Sequence, residues 1–136
     1  MSGYYRISQA LGEDPELSLE LRCADDRGAG YKDEASCTAE DLACIEDYEE
    51  TREAQLVMAS EAETMGIAYH VEDSDDRDSR HSDAYLYFPQ SRLAEVAAML
   101  ERVGLPGDIL DVPAGFPADE AERLTREYGW TVERAA

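Results

Sequence analysis

Two histidines and their acidic neighbours are the residues that could carry acid–base chemistry. Alternation over residues 67–72 places His70 and Glu72 on one face of a strand, and His81 follows in a polar stretch. A histidine beside a carboxylate can move protons near neutral pH. The chain has no nucleophile elbow, HExxH helix, phosphate-binding glycine loop or dinucleotide fingerprint that would orient such a pair on a substrate. We therefore predict a non-enzymatic protein with no catalytic residues and no cofactor.

An aspartate-rich stretch, residues 73–83, could bind a hard cation. An EF-hand loop needs oxygen ligands at positions 1, 3, 5, 9 and 12 and glycine at position 6. With Asp73 at position 1, position 5 is Arg77, position 6 is Asp78 and position 12 is Ala84, so the pattern fails. The three cysteines, Cys23, Cys37 and Cys44, form no CxxC motif. The sequence therefore predicts no metal site and three free thiols.

Tyrosines form a third group that could take part in binding. Tyr69, Tyr85 and Tyr87 fall on predicted strands, and Tyr4 and Tyr5 lie near the start of the chain. Aromatic rings on a sheet can stack nucleic acid bases. However, the chain carries 32 acids and 12 Lys or Arg, a net charge of −20. Because nucleic acid binding depends on neutralising phosphates, this charge predicts no direct nucleic acid contact and favours a basic protein partner.

The acids are unevenly distributed, and this distribution is the strongest functional signal. Residues 38–65 hold nine acids and one base. Carboxylates three or four residues apart on a helix lie about 5–6 Å from one another and form a regular negative ladder. The aspartate-rich stretch adds a second cluster. The predicted partner-binding residues are Glu46, Asp47, Glu49, Glu50, Glu53, Asp73, Asp75, Asp76 and Asp78.

These features predict an acidic, nucleic-acid-mimicking inhibitor that blocks a DNA- or RNA-handling protein. Its partner would be the basic surface of a nucleic-acid-binding protein or nuclease, as for anti-CRISPR and anti-restriction proteins of phages and mobile elements and for immunity proteins against nuclease toxins. The alternative is an ordinary cytosolic ligand-binding domain or small enzyme from an acid-rich proteome, halophilic or GC-rich. The single lysine, Lys32, fits such a proteome. That alternative predicts evenly spread acids and a functional pocket near His70.

One long helix, residues 38–65, must position the first acidic cluster. Thr38 with Asp41 predicts an N-terminal cap, and Gly66 predicts the end of the helix. On a helical projection an apolar arc predicts the core-facing stripe, with Tyr48 at its edge. The stripe consists of Leu42, Ile45, Leu56 and Ala59.

Strict alternation of Leu17, Leu19 and Leu21 predicts a half-buried strand over residues 16–23. Further predicted strands are residues 4–8, 67–72, 84–88, 108–112 and 130–133, and further predicted helices are residues 91–103 and 118–128. The order predicts an α+β fold with a ferredoxin-like (split β-α-β) core, an added N-terminal strand and a C-terminal helix. We predict a single domain, residues 1–136. No apolar run is long enough to span a membrane and no signal peptide pattern begins the chain, so we predict a cytoplasmic protein without membrane contact.

Overall fold

A computed structural model describes residues 14, 16–75, 77–105, 107–112 and 118–134, so the predicted strand over residues 4–8 lies outside the described residues. The expected mixture of helices and strands is confirmed. The strands are β1 Glu16–Leu21, β2 Ala24–Asp25, β3 Ala68–Asp75, β4 Arg80–Pro89, β5 Gly107–Val112 and β6 Thr131–Arg134; the helices are α1 Ala39–Met65, α2 Leu93–Val103 and α3 Ala118–Tyr128. No helix in these described ranges is long and apolar enough to cross a membrane.

The six described strands form one mixed sheet. β1 lies between β4 and β5 and is antiparallel to both, with Leu19 opposite Leu86 on one side and Leu110 on the other. β4 also pairs antiparallel with β2 and with β3, and β5 pairs parallel with β6. The resulting order is β2-β4-β1-β5-β6, with β3 on β4.

One face of the sheet forms the hydrophobic core, as the leucine alternation predicts. Leu17, Leu19 and Leu21 are completely buried, because alternate side chains of a strand point to the same face. Helices α1, α2 and α3 contribute to the same cluster. Their buried members include Met58, Ala62, Val96, Met99, Leu100 and Leu124.

Helix α1 begins and ends where its capping residues predict. The Thr38 hydroxyl accepts a hydrogen bond from the Asp41 backbone N–H, and the Asp41 carboxylate accepts one from the Thr38 N–H, at 3.1 and 3.0 Å. Gly66 ends the helix in the left-handed conformation, with φ of 71°. The 27 residues of α1 span about 40 Å at the standard helical rise.

The predicted core-facing stripe of α1 is wrong. Leu42 and Leu56 are 55% and 52% exposed, and the buried residues of α1 are Tyr48, Thr51, Gln55, Met58 and Ala62. The physical reason is a polar attachment to the sheet. The Gln55 side-chain amide donates hydrogen bonds to the Arg22 and Ser82 carbonyl oxygens, at 2.8 and 3.1 Å, and its oxygen accepts one from the Ser82 hydroxyl. These bonds turn the Gln55 side of α1 inward.

The predicted strands over residues 67–72 and 84–88 are too short, because β3 continues to Asp75 and β4 begins at Arg80, within the aspartate-rich stretch. Asp83 and Ser82 pair with Glu72 and Asp73 in the sheet. Polar residues are tolerated in these strands because residues before α1 hold the hairpin in place. Two of these residues, Asp25 and Asp26, contact its tip.

The carboxylate of Asp26 is the centre of this contact and is completely buried. It accepts hydrogen bonds from the backbone N–H groups of Gly28, Gly30 and Arg80 at 3.0, 3.3 and 3.2 Å. It also pairs with the Arg80 guanidinium, with Nε and Nη2 both at 2.6 Å. The guanidinium carbon lies 5.6 Å from the ring centre of Tyr31 and 4.8 Å from that of Tyr48. This network, which we call the Asp26–Arg80 network, joins the loop after β2, the β3–β4 hairpin and α1.

Burial opposes ionisation of Asp26, but the hydrogen bonds from Arg80 and Gly28 outweigh it and hold the pKa of that carboxyl below its ordinary value. A depressed pKa means that the stabilisation is complete above the unfolded-state pKa of about 3.9 and is lost as pH falls through the folded-state pKa.

We expect Asp26→Asn to lower the free energy of unfolding by about 3 kcal/mol at neutral pH, because it leaves the partly buried Arg80 guanidinium without its counter-charge. Urea unfolding from neutral pH to about pH 3 measures this loss. The difference in unfolding free energy between the variant and the wild type should shrink below about pH 4. Asp33→Asn is the control, since Asp33 is exposed and its side chain caps no helix. An equal loss in both variants would contradict the assigned role of Asp26.

Gly28 provides a second test of the same network. Its φ is 76°, and an added Cβ would collide with the carbonyl oxygens of Arg77 and Asp78, the latter at 2.9 Å. Gly66 has a similar φ of 71° but open space around it. Thermal unfolding should show that Gly66→Ala costs about 1 kcal/mol for backbone strain alone. Gly28→Ala should cost at least about 1 kcal/mol more, because the loop and hairpin backbones must separate. Equal losses would mean that the two backbones are not in tight contact.

Candidate protein-binding surface

The outward side of α1 carries a row of five residues at helical spacing, which we call the outward row. Its members are Leu42, Glu46, Glu49, Glu53 and Leu56, at positions i, i+4, i+7, i+11 and i+14. All five are exposed, and the row runs for about 21 Å along the helix. It lies opposite the buried Gln55 side because the polar attachment of Gln55 fixes the rotation of α1.

Four of the predicted binding residues form the carboxylate ladder, Glu46, Glu49, Glu50 and Glu53. All four are exposed. Within the part of the chain that the structure describes, no ion pair involves any of them. Their charges are therefore available to attract a basic partner, because exposed acids without a counter-charge contribute fully to the surface potential.

Two other predicted residues, Asp47 and Asp73, are paired with arginine. Asp47 contacts Arg22 at 2.6 Å, and Asp73 contacts Arg52 at 3.1 Å. Each pair is partly exposed. Arg22 lies just after β1 and Asp73 lies on β3, so both pairs join α1 to the sheet. These two aspartates lie beside the ladder, with part of their charge balanced within the protein.

The hairpin tip is mixed in charge. The backbone of Asp75 lies opposite that of Arg80 in the β3–β4 register, and Asp76 lies outside the described residues. Asp78 is exposed, and it shares the lining of a cavity of about 400 Å³ with Arg27, Lys32 and Arg77. Arg27 and Lys32 are also paired with Glu40 and Asp41, at 3.6 and 3.0 Å, so acids and bases are intermixed there. The two predicted acidic clusters therefore differ. The ladder on α1 has no ion pair among the described residues, whereas the hairpin tip carries both acids and bases.

Exposed apolar residues flank the carboxylate ladder, although the sequence pattern predicted a core position for two of them. Leu42, Leu56 and Val57 are 55%, 52% and 48% exposed. Leu42 lies one turn before Glu46, and Leu56 and Val57 lie about one turn after Glu53. The signal was present in the sequence as an apolar arc, but periodicity assigned that arc to the core. Exposed apolar residues beside charges are typical of protein-binding surfaces.

The histidines predicted as acid–base candidates have ordinary surroundings. His70 is partly exposed, its Nε2 lies 3.8 Å from Glu72 Oε2, and its ring stacks on Tyr85 at 6.1 Å. His81 Nε2 lies 3.9 Å from Asp83 Oδ2. Among the residues that the structure describes, no three His, Cys, Asp or Glu side chains are grouped to hold a metal ion.

All three cysteines are free thiols, as expected. Burial, together with a hydrogen bond to the Asp83 side chain, raises the pKa of the Cys23 thiol to about 12. The thiolate is the nucleophilic form, so Cys23 is protonated and unreactive at neutral pH.

The sheet face opposite the core carries buried polar residues, whose burial the sequence pattern did not predict. Ser18, Glu20 and Asp111 are 2%, 3% and 4% exposed. Ser18 lies opposite Tyr87 and Glu20 opposite Tyr85 in the β1–β4 register. Carboxylates this close to the tyrosine rings repel phosphates, so these rings are poorly suited to stack nucleic acid bases.

No protein-family model, curated protein sequence or solved structure matches this chain. Its function therefore has to be inferred from the physical character of its surface. The outward row and the carboxylate ladder are the features that combine exposure, charge without a counter-ion among the described residues, and apolar area in one place.

Proposed function

We propose that the protein is a non-enzymatic inhibitor that binds the basic surface of a nucleic-acid-handling protein through the outward side of α1. The carboxylate ladder would take the place of phosphates in the positively charged groove of the partner, as in anti-CRISPR and anti-restriction proteins of phages and in immunity proteins against nuclease toxins. The observation that carries this proposal is the row of exposed carboxylates on α1 bounded by exposed leucines. Such partners work in the cytoplasm, and we propose the same location for this protein.

The charge density of the ladder supports the proposal. Glu46 and Glu53 are seven residues apart, so the four carboxylates lie within about 10 Å along the helix axis. One strand of duplex DNA carries about three phosphates over the same length. A groove that binds one nucleic acid strand would therefore meet a similar number of negative charges on α1. The long-range field of a −20 protein would also accelerate the encounter with a basic partner.

The exposed apolar residues favour a specific interface over general acidity. A chain that is acidic only for solubility gains nothing from Leu42, Leu56 and Val57 on its most acidic helix, because exposed apolar area opposes solubility. In a protein–protein interface such residues supply the packed, water-free contacts, while the charges set orientation and association rate.

We also infer that the domain has the ferredoxin-like, split β-α-β arrangement. Support comes from the antiparallel order β5-β1-β4-β3, with α1 connecting β1 to β3 and α2 connecting β4 to β5. α3 and β6 follow this core, and β6 extends the sheet beyond β5. This arrangement leaves the outward side of α1 uncovered by any described element.

Charge reversal tests the proposed function. Tagged protein should capture a nucleic-acid-handling protein from nuclease-treated host lysate at low salt, and added DNA or RNA should compete. The triple variant Glu46→Lys, Glu50→Lys and Glu53→Lys should lose at least about 100-fold in affinity, because three attractions become three repulsions. The matched control is Glu34→Lys, Asp119→Lys and Glu122→Lys, which changes the net charge equally at exposed acids elsewhere.

Equal loss of binding in the two triple variants would show that net charge, not the ladder, drives the interaction. Unchanged capture by the folded ladder variant would contradict the proposal outright. Circular dichroism and thermal unfolding of both variants establish that they are folded, which we expect because the side chains concerned are exposed.

Salt dependence distinguishes this proposal from the acid-rich-proteome alternative. A binding protein of ordinary cytoplasm should be fully folded in dilute buffer, because the buried Asp26–Arg80 network is little affected by screening. Added salt should raise its melting temperature by only a few degrees as repulsion among the acids is screened. Differential scanning calorimetry from dilute buffer to molar salt measures this, and folding that requires molar salt would favour the halophilic alternative.

A further inference from the structure

A cleft between the C-terminal turns of α2 and α3 has the lining of a cation site. It has a volume of about 280 Å³. Tyr128 supplies a partly exposed aromatic ring, and Glu101 and Glu127 supply two exposed carboxylates. Leu100 and Trp130, 1% and 2% exposed, form the buried floor of the cleft. The ring centres of Tyr128 and Trp130 lie 5.5 Å apart. No lysine or arginine is among the described residues that line the cleft.

The charges around the cleft favour a cation. Glu101 has no ion pair among the residues that the structure describes, and Glu127 Oε2 contacts Arg123 Nη1 at 3.1 Å. Helix α2 ends at Val103, and its C-terminal cap, Gly104, lines the cleft, so the C-terminal end of α2 lies beside it. The C-terminal end of a helix carries a partial negative charge that stabilises a nearby cation.

We propose that this cleft binds an alkyl-guanidinium group, the side chain of arginine. The planar guanidinium can stack on an aromatic face, and its N–H groups form a fork that matches a carboxylate. The methylene stem of arginine suits the apolar wall, because long cationic side chains bury their stems against apolar surface. An uncharged ligand of the same shape would forgo the attraction of Glu101 and Glu127.

The location of this cleft connects it with the carboxylate surface of α1. Gly104 also lines a smaller cavity together with Asp47 and Glu50, so both cavities border the residue that ends α2. The inference rests on the proposed function in one respect, the source of the cation: the bound arginine would belong to the basic partner. An arginine in this cleft would anchor one side of a partner that lies along the carboxylate ladder, as buried arginines commonly do in interfaces.

Direct titration with a small probe tests the cleft by itself. Trp130 is the one tryptophan of the chain and lies under this cleft, so its fluorescence reports on changes there. n-Butylguanidinium should change the Trp130 emission in a saturable way at millimolar concentration. n-Butylurea, an uncharged molecule of the same shape, should bind at least about tenfold more weakly, because charge-assisted hydrogen bonds and the cation–π contact are lost. Equal responses to both probes, or no saturation, would overturn the proposal.

Two variants identify the carboxylates that bind the probe. Glu101→Gln should weaken n-butylguanidinium about tenfold and leave the melting temperature unchanged, since Glu101 is exposed. The double variant with Glu127→Gln should abolish the response. Glu122→Gln is the control, because Glu122 is an exposed acid of α3 that lines a different cavity. Wild-type affinity in the folded double variant would overturn the proposal.

The same titration separates this inference from the proposed function. Probe binding without capture of any nucleic-acid-handling protein from lysate would support the cleft and contradict the inhibitor. Capture of such a protein with no probe binding would support the inhibitor and contradict the cleft.

Discussion

The ion pair between the buried Asp26 carboxylate and Arg80 is the interaction on which the geometry of the surface depends. A buried carboxylate is tolerated only where charge and hydrogen bonds compensate it, and Asp26 has both, from one guanidinium and three backbone N–H groups. The same guanidinium lies over the rings of Tyr31 and Tyr48. One interaction therefore holds the loop after β2, the β3–β4 hairpin and the first half of α1 in a fixed relation.

Polar contacts inside the domain decide which side of α1 faces the partner. Gln55 binds carbonyl oxygens of Arg22 and Ser82, and Tyr48 packs on Arg80 two turns earlier on nearly the same side of the helix. A helix has only one inward side, so Leu42 and Leu56 face outward. If Leu42 and Leu56 packed against the sheet instead, the rotation of α1 would bring Glu49 toward the core. The exposed combination of leucines and carboxylates is thus a consequence of the hydrogen bonds that anchor α1.

The features predictable from sequence were the ones set by neighbouring residues. Leu17, Leu19 and Leu21 identified β1, and Thr38 and Gly66 identified the ends of α1, because alternation and capping are local. The rotation of α1 was not predictable, since the partners of Gln55 lie 33 and 27 residues away and periodicity takes the apolar arc as the core face. The positions of the acids were evident. The sequence did not show which acids are paired with a base, because Arg22 and Arg52 meet their aspartates through tertiary contacts.

The central claim is that acidity on α1 is a specific surface and not a general property of the chain. Chemical-shift mapping of isotope-labelled protein with a short arginine-rich peptide tests this most directly, because every exposed acid competes for the same ligand. The account predicts that perturbed amides concentrate on residues 42–57 and at Gly104. Perturbations of equal size around Glu34, Asp119 and Glu122, which are also exposed acids, would contradict it.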